Sequence, residues 1–177
     1  RTSRTLDPDE FYTRNYAPFN IKHELANNYI DLSVLDTKFQ AEIKAKPIKG
    51  LELAALGSVR YQLSMTEHNI KDNSNQAEAY RAAATKIIQS LNPYLYKDPD
   101  NPTGDKYTVL PQGGILKKND YSALSMDFRA SGTYNTAIAD KHIINAFAAM
   151  EVNSLDRHAS SFDGWGLQYE AGETPFY

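Results

Sequence analysis

The residues best suited to acid–base or metal chemistry are four histidines, His23, His68, His142 and His158, in a chain without cysteine. They lie in unrelated segments and lack the short, fixed spacing of metal ligands, so they read as ordinary surface or interface histidines. Asp98, Asp100 and Asp105 hint at a calcium loop. Pro102 and the position of Gly104 break the D-x-[DN]-x-[DN]-G spacing, and turn chemistry explains these acids better. No nucleophile elbow or triad signature is present, and Gly113-Gly114 is a lone pair rather than a phosphate cradle. Asn101-Pro102-Thr103 is disqualified as a glycosylation acceptor by its proline. The expectation is a protein that is not an enzyme, with no catalytic residue, no metal and no cofactor.

The remaining chemistry is aromatic. Trp165 and Tyr169 lie close together around Gly166, in a stretch from Ser154 onward that reads as loop and also holds Phe162, Phe176 and Tyr177. Aromatic faces beside polar groups stack on sugar rings or pack against a protein lid. They serve equally as loop anchors or as a membrane-interface girdle. On the first reading, Trp165→Ala weakens substrate or lid binding.

The elements that position these aromatics are strands. Phe39, Ala41, Ile43 and Ala45 alternate with Lys38, Gln40, Glu42, Lys44 and Lys46. After a turn at Pro47-Ile48-Lys49-Gly50 the beat resumes with Leu51, Leu53, Ala55, Gly57, Val59, Tyr61, Leu63 and Met65. Successive strand side chains point to opposite faces, so period two means one apolar and one polar face. Odd residues are apolar on both strands, which predicts odd opposite odd, Ile43 across from Leu53, and a three-residue connection closed by Gly50. Upstream, Ile30, Leu32 and Val34 carry the beat on even numbers, which calls for a bulge near Leu35-Asp36. A third strand is expected from Tyr121 to Asn135, with Leu124, Met126, Phe128, Ala130, Gly132 and Tyr134 on one face. A short turn from Ala137 to Lys141 leads to a fourth through Ile144, Ala146, Ala148, Met150 and Val152, where Ile143 and Phe147 break the pattern.

Residues 1–28 read as loop with a short helical turn. Residues 67–120 form a long insertion with one helix over 76–91. Asn75 caps it with Glu78 three residues on, Ala77, Tyr80, Ala84, Ile87 and Leu91 form its apolar stripe, and Asn92-Pro93 stops it.

The chain has 177 residues, enough for one domain, with 41% hydrophobic residues and a mean hydropathy of −0.57. Its net charge of −3 argues against a nucleic-acid partner. No apolar run approaches the roughly eighteen residues of a membrane helix, but barrel strands are apolar on one side only. The alternation from Leu51 to Met65 outlasts a usual strand of roughly five or six residues and suits a membrane strand of about nine to eleven. Short turns alternate with long loops, as in outer-membrane barrels, and charges sit on the face that a polar lumen accepts. The fold expected is all-β: about four long antiparallel strands of a partial transmembrane β-barrel, with one helix in a long extracellular loop at 67–120. Four strands cannot close a barrel, since about eight is the least that small ones use. The chain opens Arg1-Thr2-Ser3-Arg4 without a signal-peptide pattern, and the expectation is an internal piece of something longer. The rival expectation is a soluble β-rich module that holds a glycan on its aromatic loops.

The stretch NNYIDLSVLDTKFQAEIKAKPIKGLEL resembles SusC/RagA-like TonB-dependent outer-membrane transporters, as do TEHNIKDNSNQAEAYRAA, DKHIINAFAAMEVNS and SSFDGWGLQYEAGETPFY. The resemblance covers the chain from about Asn27 onward. It implies a plugged barrel of about twenty-two strands in the outer membrane of a Gram-negative bacterium. It implies nutrient uptake: import of glycans or peptides beneath a SusD-like surface lipoprotein, driven through TonB and surrounded by membrane lipid. Trp165 and Tyr169 would then contact substrate or lid. No plug domain or TonB-contacting segment is recognisable among these residues, so transport is a property of the parent protein.

Overall fold

Alternating side chains make long strands in the computed structural model, which describes residues 7–138, 142–172 and 174–175. The order is β1 (Tyr12–Arg14), β2 (Ala17–Phe19), α1 (Ile21–Asn27), β3 (Asn28–Ile48), β4 (Leu51–Ile70), α2 (Asn75–Ala79), α3 (Lys86–Leu91), β5 (Gly114–Ile138) and β6 (His142–Gln168). A 3-10 turn over Tyr169–Ala171 and a short β7 (Thr174–Pro175) follow. β1 and β2 form a hairpin of their own, and β3-β4-β5-β6-β7 is the order of the main sheet. Antiparallel sheet dominates, which makes the fold all-β, and among the described residues no helix is long and apolar enough to cross a membrane.

The chain divides into two compact units. The sheet unit holds residues 33–65 and 120–160. Leu53 reaches to within 3.2 Å of where a Gly132 side chain would stand and Ser58 bonds Asp127, which puts odd residues of β4 on the same face as even residues of β5. The polar partners lie on the other parity. Arg60 donates from Nε and Nη2 to the Asp36 carboxylate, and Gln62 Nε2 donates to the same group at 3.1 Å. Ser58 and Ser125 hydroxyls donate to Asp127 at 3.1 and 3.4 Å. Lys44 pairs with Glu42, Lys46 with Glu52, and Asn153 donates to Glu151. The cross-strand pairs Asp36–Arg60 and Lys46–Glu52 join residues of like parity, as the expected register requires.

The hairpin connection lies within the Pro47–Gly50 turn expected from sequence. β3 is bounded at Ile48 and β4 at Leu51, and the like-parity cross-strand pairs require an odd connection, which Ile48, Lys49 and Gly50 supply. Gly50 takes φ +87°, and a side chain there would collide with the Asn135 carbonyl oxygen. No bulge interrupts β3 near Leu35-Asp36. Asn28–His68 and Lys46–Glu52 are pairs of like parity on either side of it, and one extra residue would have broken that agreement. The third strand starts at Gly114, not Tyr121, and the fourth continues to Gln168 through the stretch expected to be loop. Of the turn expected over Ala137–Lys141, Ala137 and Ile138 belong to β5 and residues 139–141 lie outside the described residues.

The loop unit gathers, of the described residues, 7–32, 66–119, 161–172 and 174–175. Ile70, Ala77, Leu110 and Ile115 form its core, with Tyr80 packed against them. The insertion is shorter than 67–120, because β4 runs to Ile70 and β5 begins at Gly114. The single helix expected over 76–91 is two short ones. Ser74, not Asn75, caps α2 by accepting from the Ala77 amide at 3.2 Å. Thr85 caps α3 by accepting from Ile88 N, which restarts the helix instead of continuing it. Buried Asn92 ties the break together, donating from Nδ2 to the carbonyls of Ala79 and Ala82 at 2.8 and 2.9 Å. Ile87 and Leu91 are consequently exposed rather than in line with Ala77.

Candidate functional site

Trp165 sits on β6 near its end, and Tyr169 opens the 3-10 turn, so neither occupies the long loop expected from sequence. Trp165 presents its ring edge-on to Tyr80, with centroids 5.3 Å apart and planes at 88°. Tyr80 in turn packs on Tyr94 at 5.2 Å. Burial, and secondarily Tyr94, pushes the Tyr80 hydroxyl above its usual pKa. Tyr169 donates its hydroxyl to the Ile115 carbonyl at 2.7 Å and lines a hollow of about 360 Å³ with Lys71, Asp72, Asn73 and Glu170. Trp165 is not part of that hollow. The structure therefore does not bring the two aromatics to one pocket, and each is engaged in packing.

The Gly113-Gly114 pair has a structural use. A side chain at Gly113 would collide with the Gly166 backbone, and one at Gly114 with the Ile70 carbonyl. Strands β4, β5 and β6 approach there too closely for a Cβ.

A second hollow, also about 360 Å³, is lined by Arg14, Asn15, Phe19, Glu24, Asn28, Asn75, Gln76 and Tyr94. Its walls come from β1–β2, α1 and α2. Asn20 places α1, accepting from His23 N at 3.0 Å and donating to the carbonyls of Pro8 and Glu10. Asn75 stitches the walls together. Its Nδ2 donates to the carbonyls of Arg14, Ala17 and Pro18, and its backbone N–H donates to Glu24 Oε2 at 2.7 Å. Asn28 Nδ2 donates to Glu24 Oε1 at 2.8 Å and to Gln76 Oε1 at 3.3 Å. Asn28 Oδ1 meets His68 Nε2 at 2.7 Å. Burial, then the Lys117 charge, lowers the His68 pKa. Sequence reading missed this hollow, because its residues come from distant segments with no periodicity. The amide-rich run Asn73-Ser74-Asn75-Gln76 was its only local signal.

Arg81 organises the floor of the insertion. Its guanidinium donates to the carbonyls of Leu110, Asp72 and Gly113 and to the carboxylates of Asp72 and Glu78, which engages every N–H it has. Among the acids weighed for calcium, Asp98 accepts from Asp100 N and Asp105 pairs with Lys86. Among the described residues no group of three or more acids, histidines or cysteines is placed to hold a metal. A larger hollow, about 550 Å³, lies in the sheet unit and is lined by Ile43, Leu53, Ala130, Gly132 and Met150 among others. It lacks the converging polar groups of a small-molecule site. Models of known protein families give no match to the chain, and no curated protein matches it.

Proposed function

We propose that this chain is part of the barrel of a SusC/RagA-like, TonB-dependent outer-membrane importer of glycans or peptides. The observation that carries the reading is the uncharged face of the sheet unit. From Leu51 to Met65, Leu124 to Tyr134 and Ile144 to Val152, every second residue on that face is uncharged. Phe39, Ile43, Phe128 and Met150 on it are exposed. The stripe from Leu124 to Tyr134 spans about 33 Å along the strand, or about 25 Å along the normal at a tilt of roughly 35–45°. That is the height of the apolar band of an outer-membrane barrel. Asp36, Arg60 and Asp127 lie on the opposite parity, where a wet lumen tolerates them; at mid-bilayer on the lipid side a Lys or Arg costs about 2–4 kcal/mol. The connections support the same reading, a short turn between β3 and β4 against the long insertion between β4 and β5.

An open sheet edge does not survive in lipid, so β3 needs a further strand to pair with, as in a larger closed barrel. On this reading a SusD-like lipoprotein covers the mouth and TonB drives the plug of the parent protein. Fractionation tests it. The intact protein is expected in the outer membrane, extractable only with detergent, and its deletion is expected to abolish uptake of its glycan or peptide. A monodisperse, detergent-free monomer would overturn the importer reading and favour a soluble glycan-binding module.

A further inference from the structure

The hollow between β1–β2, α1 and α2 has its polar groups unevenly committed. Both oxygens of Glu24 accept hydrogen bonds, from Asn75 N and Asn28 Nδ2. Asn75 Nδ2 is spent on three carbonyls. The aromatic faces are also engaged, with Tyr94 against Tyr80 and the Arg14 guanidinium over Phe19 at 4.9 Å from its centroid. A neutral sugar would find no free ring to stack on. What remains is donor capacity. Among the described residues Arg14 makes no side-chain hydrogen bond or ion pair, and the Gln76 amide keeps its N–H groups.

The way Arg14 is presented adds a second observation. The next two residues, Asn15 and Tyr16, adopt φ of +52° and +64°, the positive values that a two-residue hairpin loop takes at both of its central positions. Asn75 Nδ2 ties this turn to α2 through the Arg14, Ala17 and Pro18 carbonyls. Arg14 thus borders a tight hairpin turn tied to α2, lies over the Phe19 ring, and has its planar donor fork unpaired among the described residues. Such a fork matches a carboxylate through two parallel hydrogen bonds.

We propose that this hollow binds a carboxylate-bearing ligand, with Arg14 as the bidentate contact and the Gln76 amide as a second donor. The inference rests on the importer reading only for its choice between a uronic-acid sugar and an acidic peptide; both offer the same group. Glu24 lies on the same wall, but its hydrogen bonds hold it to Asn28 and Asn75, and the ligand meets the guanidinium.

Calorimetry on the intact protein in detergent tests this with four probes: an oligogalacturonate, a neutral oligosaccharide of equal length, a glutamate-rich tetrapeptide and its amidated, glutamine-rich counterpart. At least one acidic probe is expected to bind tenfold or more tighter than its neutral match, and which one does identifies the source. Arg14→Gln is expected to weaken that probe about 10–100-fold and to erase the preference, with Arg14→Lys between the two. The Asn75 bond to residue 14 runs through the backbone, so neither variant disturbs it, and unchanged thermal unfolding checks this. No preference for acid, or Arg14→Gln binding as well as the native protein, overturns the site. Arg14-dependent acid binding by a protein that needs no detergent would sink the importer reading and leave the site standing.

Discussion

In the loop unit Ile70, Ala77, Leu110 and Ile115 are shielded from water to 1% or less, whereas in the sheet unit Phe39 and Ile43 stand 73% and 72% exposed. The same side-chain chemistry is sorted by two rules. The loop unit holds an apolar cluster, side-chain caps at its helix starts and a partly buried guanidinium saturated with acceptors, although Leu25, Ile87 and Leu91 stay exposed. The sheet unit has its polar groups cross-linked on one face and leaves the other bare. A fully buried large aliphatic side chain contributes about 1.5–3 kcal/mol relative to an exposed one. The loop unit collects that term at Ile70, Ala77, Leu110 and Ile115, and on the importer reading lipid supplies it to the bare face of the sheet unit.

The sharpest way to break this contrast is to charge the bare face. Phe128→Arg or Leu53→Arg is expected to destabilise the protein in bilayers by about 2–4 kcal/mol, read by denaturant unfolding from vesicles. Arg129→Leu, one residue along β5 on the opposite face, is expected to stay within about 0.5 kcal/mol. Equal effects from Phe128→Arg and Arg129→Leu would mean that both faces meet water.

The loop unit's counterpart is Arg81. Truncation to Ala leaves the carbonyls of Leu110, Asp72 and Gly113 without their donor, at an expected cost of about 2–3 kcal/mol. Lysine should not rescue it, because an ammonium has three donors and no planar fork. Hydrogen exchange should register the loss in residues 71–113 and leave the amides of β3 and β4 between residues 33 and 65 protected. Uniform loss would show that the two units do not respond separately.

These contrasts also explain what was legible in the sequence. The two faces were, because a sheet with one apolar and one polar face writes a period of two that needs no knowledge of neighbours. The strand ends were not. From Ser154 to Gly164 the chain is mostly Ser, Asp, Arg, His, Ala and Gly with no apolar beat, yet β6 continues, because backbone pairing depends on neighbouring strands rather than on its own pattern. The helix start was misplaced by one residue for a comparable reason. Ser74 and Asn75 both suit an N-cap, and what decides between them is the Asn75 bond to the carbonyls of Arg14 and Pro18, about sixty residues away. The hollow around Arg14 was invisible for the same cause. Ser74→Ala should therefore cost about 1 kcal/mol through the cap alone. Asn75→Ala should leave the helix start intact and instead release the β1–β2 turn, seen as lost amide protection at Arg14–Phe19. If Asn75→Ala frays α2 and spares that turn, the cap assignment is wrong.

The smallest effect expected is one of pH. Burial first, and the Lys117 charge second, hold His68 below its ordinary pKa of 6.5. Asn28 Nδ2 is committed to Glu24 and Gln76, so its Oδ1 faces His68 and selects the tautomer with the proton on Nε2. That proton is donated to Asn28 whether the ring is neutral or charged, so the hydrogen bond does not set the shift. The unfolded chain binds a proton on this ring near pH 6.5, and the folded chain only at lower pH. Between the two values the unfolded state carries more protons, so stability falls as pH is lowered through that window and is fully present above it. His68→Gln keeps a donor for Asn28 Oδ1 and removes the titration. Its stability should follow that of the native protein above pH 6.5 and decline less below it. A native protein that grows more stable than the variant on acidification would mean that His68 gains a negative partner rather than meeting Lys117, and the burial of this end of β4 would have to be redrawn.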